Sequence, residues 1–488
     1  MDLALLPMHK LLNLFYSDPN LIVEYIHSIY NRIHRVEEKV KAFITLRPLE
    51  ETIAEAEHLI KKYVNNKNNP KLFGIAVAVK DNISTKGIRT TCGSRMLENY
   101  IPPYDATVIT RLKNEGAIII GKTNMDEFAM GSTTETSAFF VTRNPWDLSR
   151  SPGGSSGGSA AALAAGEATV ALGSDTGGSV RNPASFTATF GLKPTYGLVS
   201  RYGLIAYGSS LDQIGPMARN TDDLAMLLNV IAGHDPKDST SLPTKVGDIR
   251  EEMYDLFHRE PRLKIAIAKD LFEYSDDVVR NETYKAVDKL CSYHECEEIE
   301  IPYAKQCVAA YYIISMAEAS SNLARYDGVR YGLRIEVENK SWIEVYREVR
   351  TKGFGYEVKK RIALGAYVLS MGYRDMYYLK ALRFRRMLKE TFNKIFSKYN
   401  AILSPTTPIL PPRIGEFLED PIKMYYADLN TVIANLIGGP ALSLPVGFYN
   451  NLPIGLQIMT NYMDEVTALY ISKSLEETLK LRDLIVDV

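Results

Sequence analysis

Two glycine nests, Gly-Gly-Ser-Ser-Gly-Gly-Ser at Gly153–Ser159 and Gly-Ser-Asp-Thr-Gly-Gly-Ser at Gly173–Ser179, constrain this chain more than any other feature. They carry Ser155 and Ser179, 24 positions apart. Glycine lets the backbone enter φ > 0 and lets a ligand approach the main chain closely. Successive N–H groups in such a nest form a cavity for negative charge. A serine at its end stands where an oxyanion would be stabilised as it forms. A flexible Gly/Ser linker has the same composition, but the residues between the nests exclude it. Ala160 to Gly173 reads Ala-Ala-Ala-Leu-Ala-Ala-Gly-Glu-Ala-Thr-Val-Ala-Leu-Gly, a buried helix running into an apolar strand.

Around this core the hydrophobic period changes twice. From Leu11 to about Val64 apolar residues recur at helical spacing, as in Leu21, Ile22, Tyr25, Ile26, Ile29, Tyr30 and Ile33. Asn65-Asn66-Lys67-Asn68-Asn69-Pro70 reads as a connector. Short apolar runs then alternate with helical patterns. The expected strands are Phe73–Val79, Ala117–Ile120, Leu263–Ala268, Ala401–Leu403, Ala441–Val446 and Ile454–Met459. The expected helices are Asp105–Glu115, Thr221–Ile231, Ala304–Leu323, Val345–Phe396 and Glu465–Thr478. Such alternation implies an α/β sheet covered by helices on both faces. The expected organisation is an N-terminal helical element over residues 1–66 and one continuous catalytic domain over residues 67–488.

Charge and cysteine content narrow the function classes. Of 488 residues, 57 are Lys or Arg and 58 are Asp or Glu, a formal net charge of −1, so no bulk electrostatic footprint for nucleic acid is present. The four cysteines, Cys92, Cys291, Cys296 and Cys307, show no metal-ligand spacing beyond Cys291 and Cys296 flanking His294, and are expected to be free thiols. Met1 to Tyr16 is broken by Pro7, His9 and Lys10 and fits an amphipathic helix better than a signal peptide. No run approaches the roughly 18 apolar residues of a membrane span. A cytoplasmic enzyme without a metal of its own is expected.

A serine needs a base to take its proton. The seven histidines (9, 27, 34, 58, 234, 258 and 294) all lie outside the glycine-rich core. Lys80 instead ends the apolar run Phe73–Val79, where desolvation lowers a lysine's pKa. Two motifs are discounted. Gly116-Ala-Ile-Ile-Ile-Gly-Lys122-Thr123 fits the P-loop pattern, but its variable positions read as a buried strand and not a phosphate cradle. Gly154-Ser155-Ser156-Gly157-Gly158 fits G-x-S-x-G around Ser156 without the preceding strand an esterase elbow needs.

Val79-Lys80-Asp81-Asn82, Gly153–Ser159 and Asp175-Thr176-Gly177-Gly178-Ser179 together closely resemble the amidase signature enzymes. The resemblance implies a large mixed β-sheet and cleavage of an amide through a Ser–cis-Ser–Lys triad. Ser179 would be the nucleophile, Ser155 the bridging serine in a cis peptide and Lys80 the base. Backbone N–H groups of Thr176, Gly177 and Gly178, joined by Ser179, would form the oxyanion hole.

Further stretches, Ser200–Pro216, Gly233–Thr240, Arg325–Gly332 and Gly353–Ile362, resemble one branch of that family, the A subunits of aspartyl/glutamyl-tRNA amidotransferases. This branch resemblance covers about residues 10–480. It implies glutamine as substrate, B and C subunits as partners in a heterotrimer, and ammonia delivery to a partner that uses ATP and Mg2+ to amidate Glu-tRNA(Gln) or Asp-tRNA(Asn). It also maps Arg361 to the glutamine carboxylate, Asp428 to its ammonium and Tyr312 to orientation. An arginine fork suits a carboxylate because it binds both oxygens. Read from the residues alone, each has a competing structural reading: Arg361 beside Lys359 and Lys360 as a solvated face, Asp428 as a local pair near a helix N-terminus, and Tyr312, next to Tyr311, as core packing. Lys360 stands where the branch commonly has arginine, and Tyr425-Tyr426 replaces a smaller pair. The competing readings are a free-standing amidase for another small amide and a catalytically dead scaffold.

Overall fold

In the computed structural model, which describes residues 2–63, 70–336, 338–419 and 421–488, the apolar runs become strands of one sheet. The connector expected at 65–70, apart from Pro70, and the expected boundary at 66/67 lie outside the described residues. Eleven strands follow in chain order: β1 Phe43–Leu46, β2 Ala76–Lys80, β3 Ile118–Thr123, β4 Val170–Asp175, β5 Phe190–Lys193, β6 Gln213–Ala218, β7 Lys264–Ala268, β8 Glu295–Ile299, β9 Ala401–Pro405, β10 Ala441–Tyr449 and β11 Leu452–Thr460. Their order across the sheet is β1-β3-β2-β4-β6-β5-β10-β11-β9-β7-β8.

Pairing is mixed. β2 runs parallel to both β3 and β4, and β7 runs parallel to β8 and β9. The intervening pairs, β4 with β6 through to β11 with β9, are antiparallel. β2, β3, β4, β5, β6, β9 and β11 are buried at every position. For β2, β3, β4, β9 and β11 that explains why they read as apolar runs without alternation, as strands covered on both faces do. Helices Gly157–Ala164 and Arg181–Phe186 pack on the sheet in one group, and helices Thr221–Ile231, Asp277–Cys291 and Glu465–Leu479 in another.

Helices Met8–Ser17 and Leu21–Val40 bury the apolar stripe read from the sequence, including Leu11, Phe15, Ile22, Tyr25, Ile26, Ile29 and Ile33. Polar contacts anchor them: Asp223 Oδ2 accepts from Met8 N–H at 3.0 Å, and Arg32 Nε donates to Ala165 O at 2.6 Å. Among the described residues no helix is long and apolar enough to cross a membrane.

Four strands escape the sequence pattern. β1 lies inside the stretch read as helical, where Phe43-Ile-Thr-Leu46 is too short to impose a period of two. β5 and β6 are interrupted by Gly191, Gly215 and Pro216. β8 is Glu-Cys-Glu-Glu-Ile, half-exposed at the sheet edge, where charge blocks pairing with another chain. The long helical stretch expected over 345–396 is three α-helices, Trp342–Gly353, Tyr356–Leu369 and Lys380–Phe396, with a π-helical turn at Asp375–Leu379. The free-thiol expectation needs correcting. Cys291, closing helix Asp277–Cys291, and Cys296, opening β8, are disulfide-bonded because the tight helix-to-strand turn brings their Cα atoms to 5.6 Å. Cys92 and Cys307 are free and buried.

Candidate active site

β2 and β4 lie side by side with Val79 opposite Leu172, so Lys80 and Asp175 leave the sheet at the same edge. The carboxyl ends of parallel strands are where open α/β sheets collect ligands. Ser155 arrives there from the loop before helix Gly157–Ala164, its Gly154–Ser155 peptide bond cis. Lys80 Nζ donates to Ser155 Oγ at 2.7 Å, to Ser156 Oγ at 2.8 Å and to Ser174 O at 3.2 Å. Lys80, Ser155 and Ser156 are sealed from solvent. Burial pulls the Lys80 ammonium down to about 7, against the opposing pull of the Asp126, Asp175 and Asp212 carboxylates. Near neutrality this lysine therefore exists substantially as the free amine, which can accept a proton.

Asp126 also builds the wall behind the cis peptide. Its carboxylate accepts from Thr134 N–H at 2.8 Å and from Thr136 Oγ1 at 2.9 Å. The loop so fixed presents the Thr134 hydroxyl, which donates to Gly153 O at 2.8 Å and accepts from Gly157 N–H at 3.0 Å. A side chain on Gly154 would collide with Asp126.

Ser179, 8 % exposed, closes the second nest, and its carbonyl accepts from Ser156 N–H at 3.1 Å, joining the two nests. Asp175 organises the turn: its carboxylate accepts from Gly178 N–H at 2.8 Å and Val180 N–H at 3.1 Å. Burial would raise the Asp175 pKa, but Arg181, paired with it at 3.0 Å, and Asn435 hold it at about 2. Gly178 N–H is thus taken by Asp175 and not directed at a ligand, which departs from the expected donor set. Among the described residues the N–H groups of Thr176, Gly177 and Ser179 find no protein acceptor.

The remaining expected residues converge nearby. Tyr312, on helix Ala304–Leu323, donates its hydroxyl to Asp428 Oδ2 at 2.6 Å, while the Arg361 guanidinium lies 5.4 Å from the Tyr312 ring centre. Ser132 Oγ donates to Asp428 Oδ1 at 3.0 Å. Burial raises the Asp428 carboxyl to about 6. Arg361, on helix Tyr356–Leu369, donates Nε to Glu357 at 2.8 Å and Nη1 to the Tyr207 hydroxyl at 2.8 Å. Among the described residues its Nη2 is buried with no partner. Tyr311 has a different position from Tyr312: a side chain on Gly177 would strike the Tyr311 ring and hydroxyl, so Tyr311 closes directly on the nest.

The Amidase family model matches residues 24–469. The chain belongs to this family. It is 56 % identical over 472 residues to the A subunit of glutamyl-tRNA(Gln) amidotransferase from Sulfurisphaera tokodaii, covering 95 % of this chain and 96 % of that protein. It is 50 % identical over 479 residues to the protein of the same name from Desulforamulus reducens, covering 98 % of each. The crystal structure of the A subunit of glutamyl-tRNA(Gln) amidotransferase from Thermotoga maritima superposes with a TM-score of 0.81 at 39 % identity, covering 100 % of this chain and 99 % of that one.

The contacts that complete this amidase site come from residues the sequence did not single out: Asp126, Ser132, Thr134, Tyr207, Glu357 and Thr431, whose hydroxyl donates to Gly177 O. Some are far along the chain from what they hold, Ser132 from Asp428 by 296 positions and Tyr207 from Arg361 by 154, and only their convergence marks them, whereas Glu357 lies one helical turn from Arg361. The discounted motifs have structural roles in the amidase. Ile118–Thr123 is strand β3, and Lys122 is buried with its Nζ donating to Ile83 O at 2.6 Å and Thr90 Oγ1 at 2.8 Å. Ser156 donates to Ser174 O at 3.2 Å. No histidine hydrogen-bonds to Ser155 or Ser179 among the described residues. Nor does any group of three or more His, Cys, Asp or Glu side chains there converge as metal ligands would.

Proposed function

We propose that this amidase is the glutamine-hydrolysing subunit of a tRNA-dependent amidotransferase. One observation carries the reading. A buried lysine–serine contact lies beside a glycine nest, and the neighbouring cluster holds a guanidinium whose Nη2 has no partner among the described residues, together with a buried carboxylate. That pairing suits a ligand bearing an α-carboxylate, an α-ammonium and a side-chain amide.

In this mechanism Ser179 Oγ attacks the glutamine side-chain carbonyl carbon. Its proton passes to Ser155 Oγ as the Ser155 proton passes to Lys80 Nζ. The tetrahedral oxyanion takes hydrogen bonds from the N–H groups of Thr176, Gly177 and Ser179. Collapse breaks the C–N bond, and the proton returns through Ser155 to the leaving ammonia. Water then repeats the relay on the acyl-ester and releases glutamate. Arg361 Nη2 holds the α-carboxylate. Asp428, kept in place by Ser132 and Tyr312, holds the α-ammonium.

The ammonia goes to a B subunit, held with a C subunit in a heterotrimer, which uses ATP and Mg2+ to activate Glu-tRNA(Gln) or Asp-tRNA(Asn). Two features of this chain fit that division of labour: its net charge is −1, and its one P-loop-like segment is a strand. Such a complex works in the cytoplasm. Coexpression with candidate B and C subunits and a glutaminase assay with and without charged tRNA test the reading. Recovery as a self-sufficient homodimer indifferent to tRNA would favour a free-standing amidase instead, and failure of Ser179 to react with a fluorophosphonate would favour a scaffold.

A further inference from the structure

The Gly177–Gly178 peptide unit lies at the centre of the nest, and neither glycine has a Cβ to fix its orientation. Gly178 sits at φ +133°, a conformation open to glycine and rarely to other residues. Its orientation is imposed from outside, at both polar ends. Asp175 Oδ1 accepts from Gly178 N–H at 2.8 Å, and Thr431 Oγ1 donates to Gly177 O at 2.6 Å. The approach is so close that a side chain on Gly178 would collide with Thr431. With the carbonyl pinned away, the flanking N–H groups of Gly177 and Ser179 are the ones left free. Turning this unit over would point a carbonyl where those donors converge.

Thr431 is itself anchored. Its N–H donates to Asp428 O at 3.1 Å, and its carbonyl accepts from Arg181 Nη1 at 2.9 Å. Arg181 is in turn paired with Asp175, so both clamps on the peptide belong to one buried network. The turn that carries Asp428 into the pocket therefore also carries the hydroxyl that holds the nest.

We propose that Thr431 is a positioning residue for the reaction, its hydroxyl holding the Gly177–Gly178 peptide so that the neighbouring N–H groups meet the developing oxyanion. This rests on the reading of Ser179 as the nucleophile. Thr431 touches no reacting atom, and its hydroxyl lies closer to Gly177 O, at 2.6 Å, than to Asp428 O, at 3.1 Å, so its loss falls on kcat more than on KM. Losing one oxyanion donor outright costs about 10²–10³-fold in kcat, and a donor left misaligned costs less.

The test compares Thr431→Val, which keeps the shape and removes the hydroxyl, with Thr431→Ser, which keeps the hydroxyl. Both are assayed for glutamine hydrolysis in the full chain, isolated with its partner subunits, with thermal melts as a control on folding. Thr431→Val is expected to lose about 10–100-fold in kcat with KM within about threefold of wild type. Thr431→Ser is expected to stay within about threefold in both. Unchanged kcat in Thr431→Val, a loss confined to KM, or a Thr431→Ser as impaired as Thr431→Val would overturn the assignment. If Thr431→Val does not fold, Thr431→Ala is read against Thr431→Ser by the same criteria. Wild-type protein that releases no glutamate from glutamine would sink the functional reading beneath it. An active wild type with an indifferent Thr431→Val sinks only the role of Thr431.

Discussion

Lys80 Nζ stands 2.7 Å from Ser155 Oγ with both groups sealed from solvent. Burial brings the lysine to about 7, so pH selects between a cation that cannot accept a proton and an amine that can. We expect kcat/KM for glutamine to fall as pH drops through about 7. The carboxylates of Asp126, Asp175 and Asp212 resist that loss of charge. Removing one of these anions with Asp126→Asn should lower the lysine pKa further and move the acid limb to lower pH. A pH–rate profile checks both. A flat profile from pH 6 to 8 would rule out Lys80 as the base.

On the proposed mechanism, replacing Ser179 with alanine removes the attacking oxygen and leaves the partner's chemistry alone. Glutamine-dependent amidation should drop by about 10⁴-fold or more, while amidation driven by added ammonium salts continues. The two nitrogen sources, assayed on the same preparation of the complex, separate the effects. Loss of both would refute the division of labour.

Arg361 presents a buried Nη2 without a partner among the described residues, and Asp428 a carboxyl raised to about 6. Truncating one member of a buried charge pair costs about 2–5 kcal/mol. Arg361→Ala should therefore raise KM for glutamine about 30-fold or more, with much less effect on a neutral amide lacking the α-carboxylate. On the proposed reading Asp428 holds the glutamine ammonium only when ionised, so KM for glutamine should rise as pH falls through about 6. Steady-state kinetics on the two substrates, repeated across pH, decide the point.

The Cys291–Cys296 bridge ties helix Asp277–Cys291 to the edge strand β8. Closing so short a loop restricts the unfolded chain by about 2 kcal/mol in the entropy model. Cys296→Ser should lower Tm without changing glutamine kinetics, because the pair lies across the sheet from β2 and β4. Melts with and without reductant test this; a variant that melts like wild type would show that the bridge adds nothing.

Part of the fold and of the candidate site was legible because its signals are local. The glycine nests, the lysine at the end of an apolar run and the buried central strands are written in consecutive residues, and each reflects short-range backbone freedom or burial. The strands β1, β5, β6 and β8 were not, since short, glycine-interrupted or charged strands take their conformation from the neighbours they pair with. The resemblance placed Tyr312 in the pocket, but the residues alone gave no reason to prefer it to Tyr311. The fold separates them, because consecutive residues of one helix point to different sides, one onto Gly177 and the other onto Asp428. Likewise the disposition of Gly178 N–H was settled by Asp175 and the buried network behind it. Hydrogen-bond partners such as Thr431 and Gly177 are 254 positions apart. A contact over that separation leaves no periodic trace in the chain, and only the packed sheet brings its two halves together.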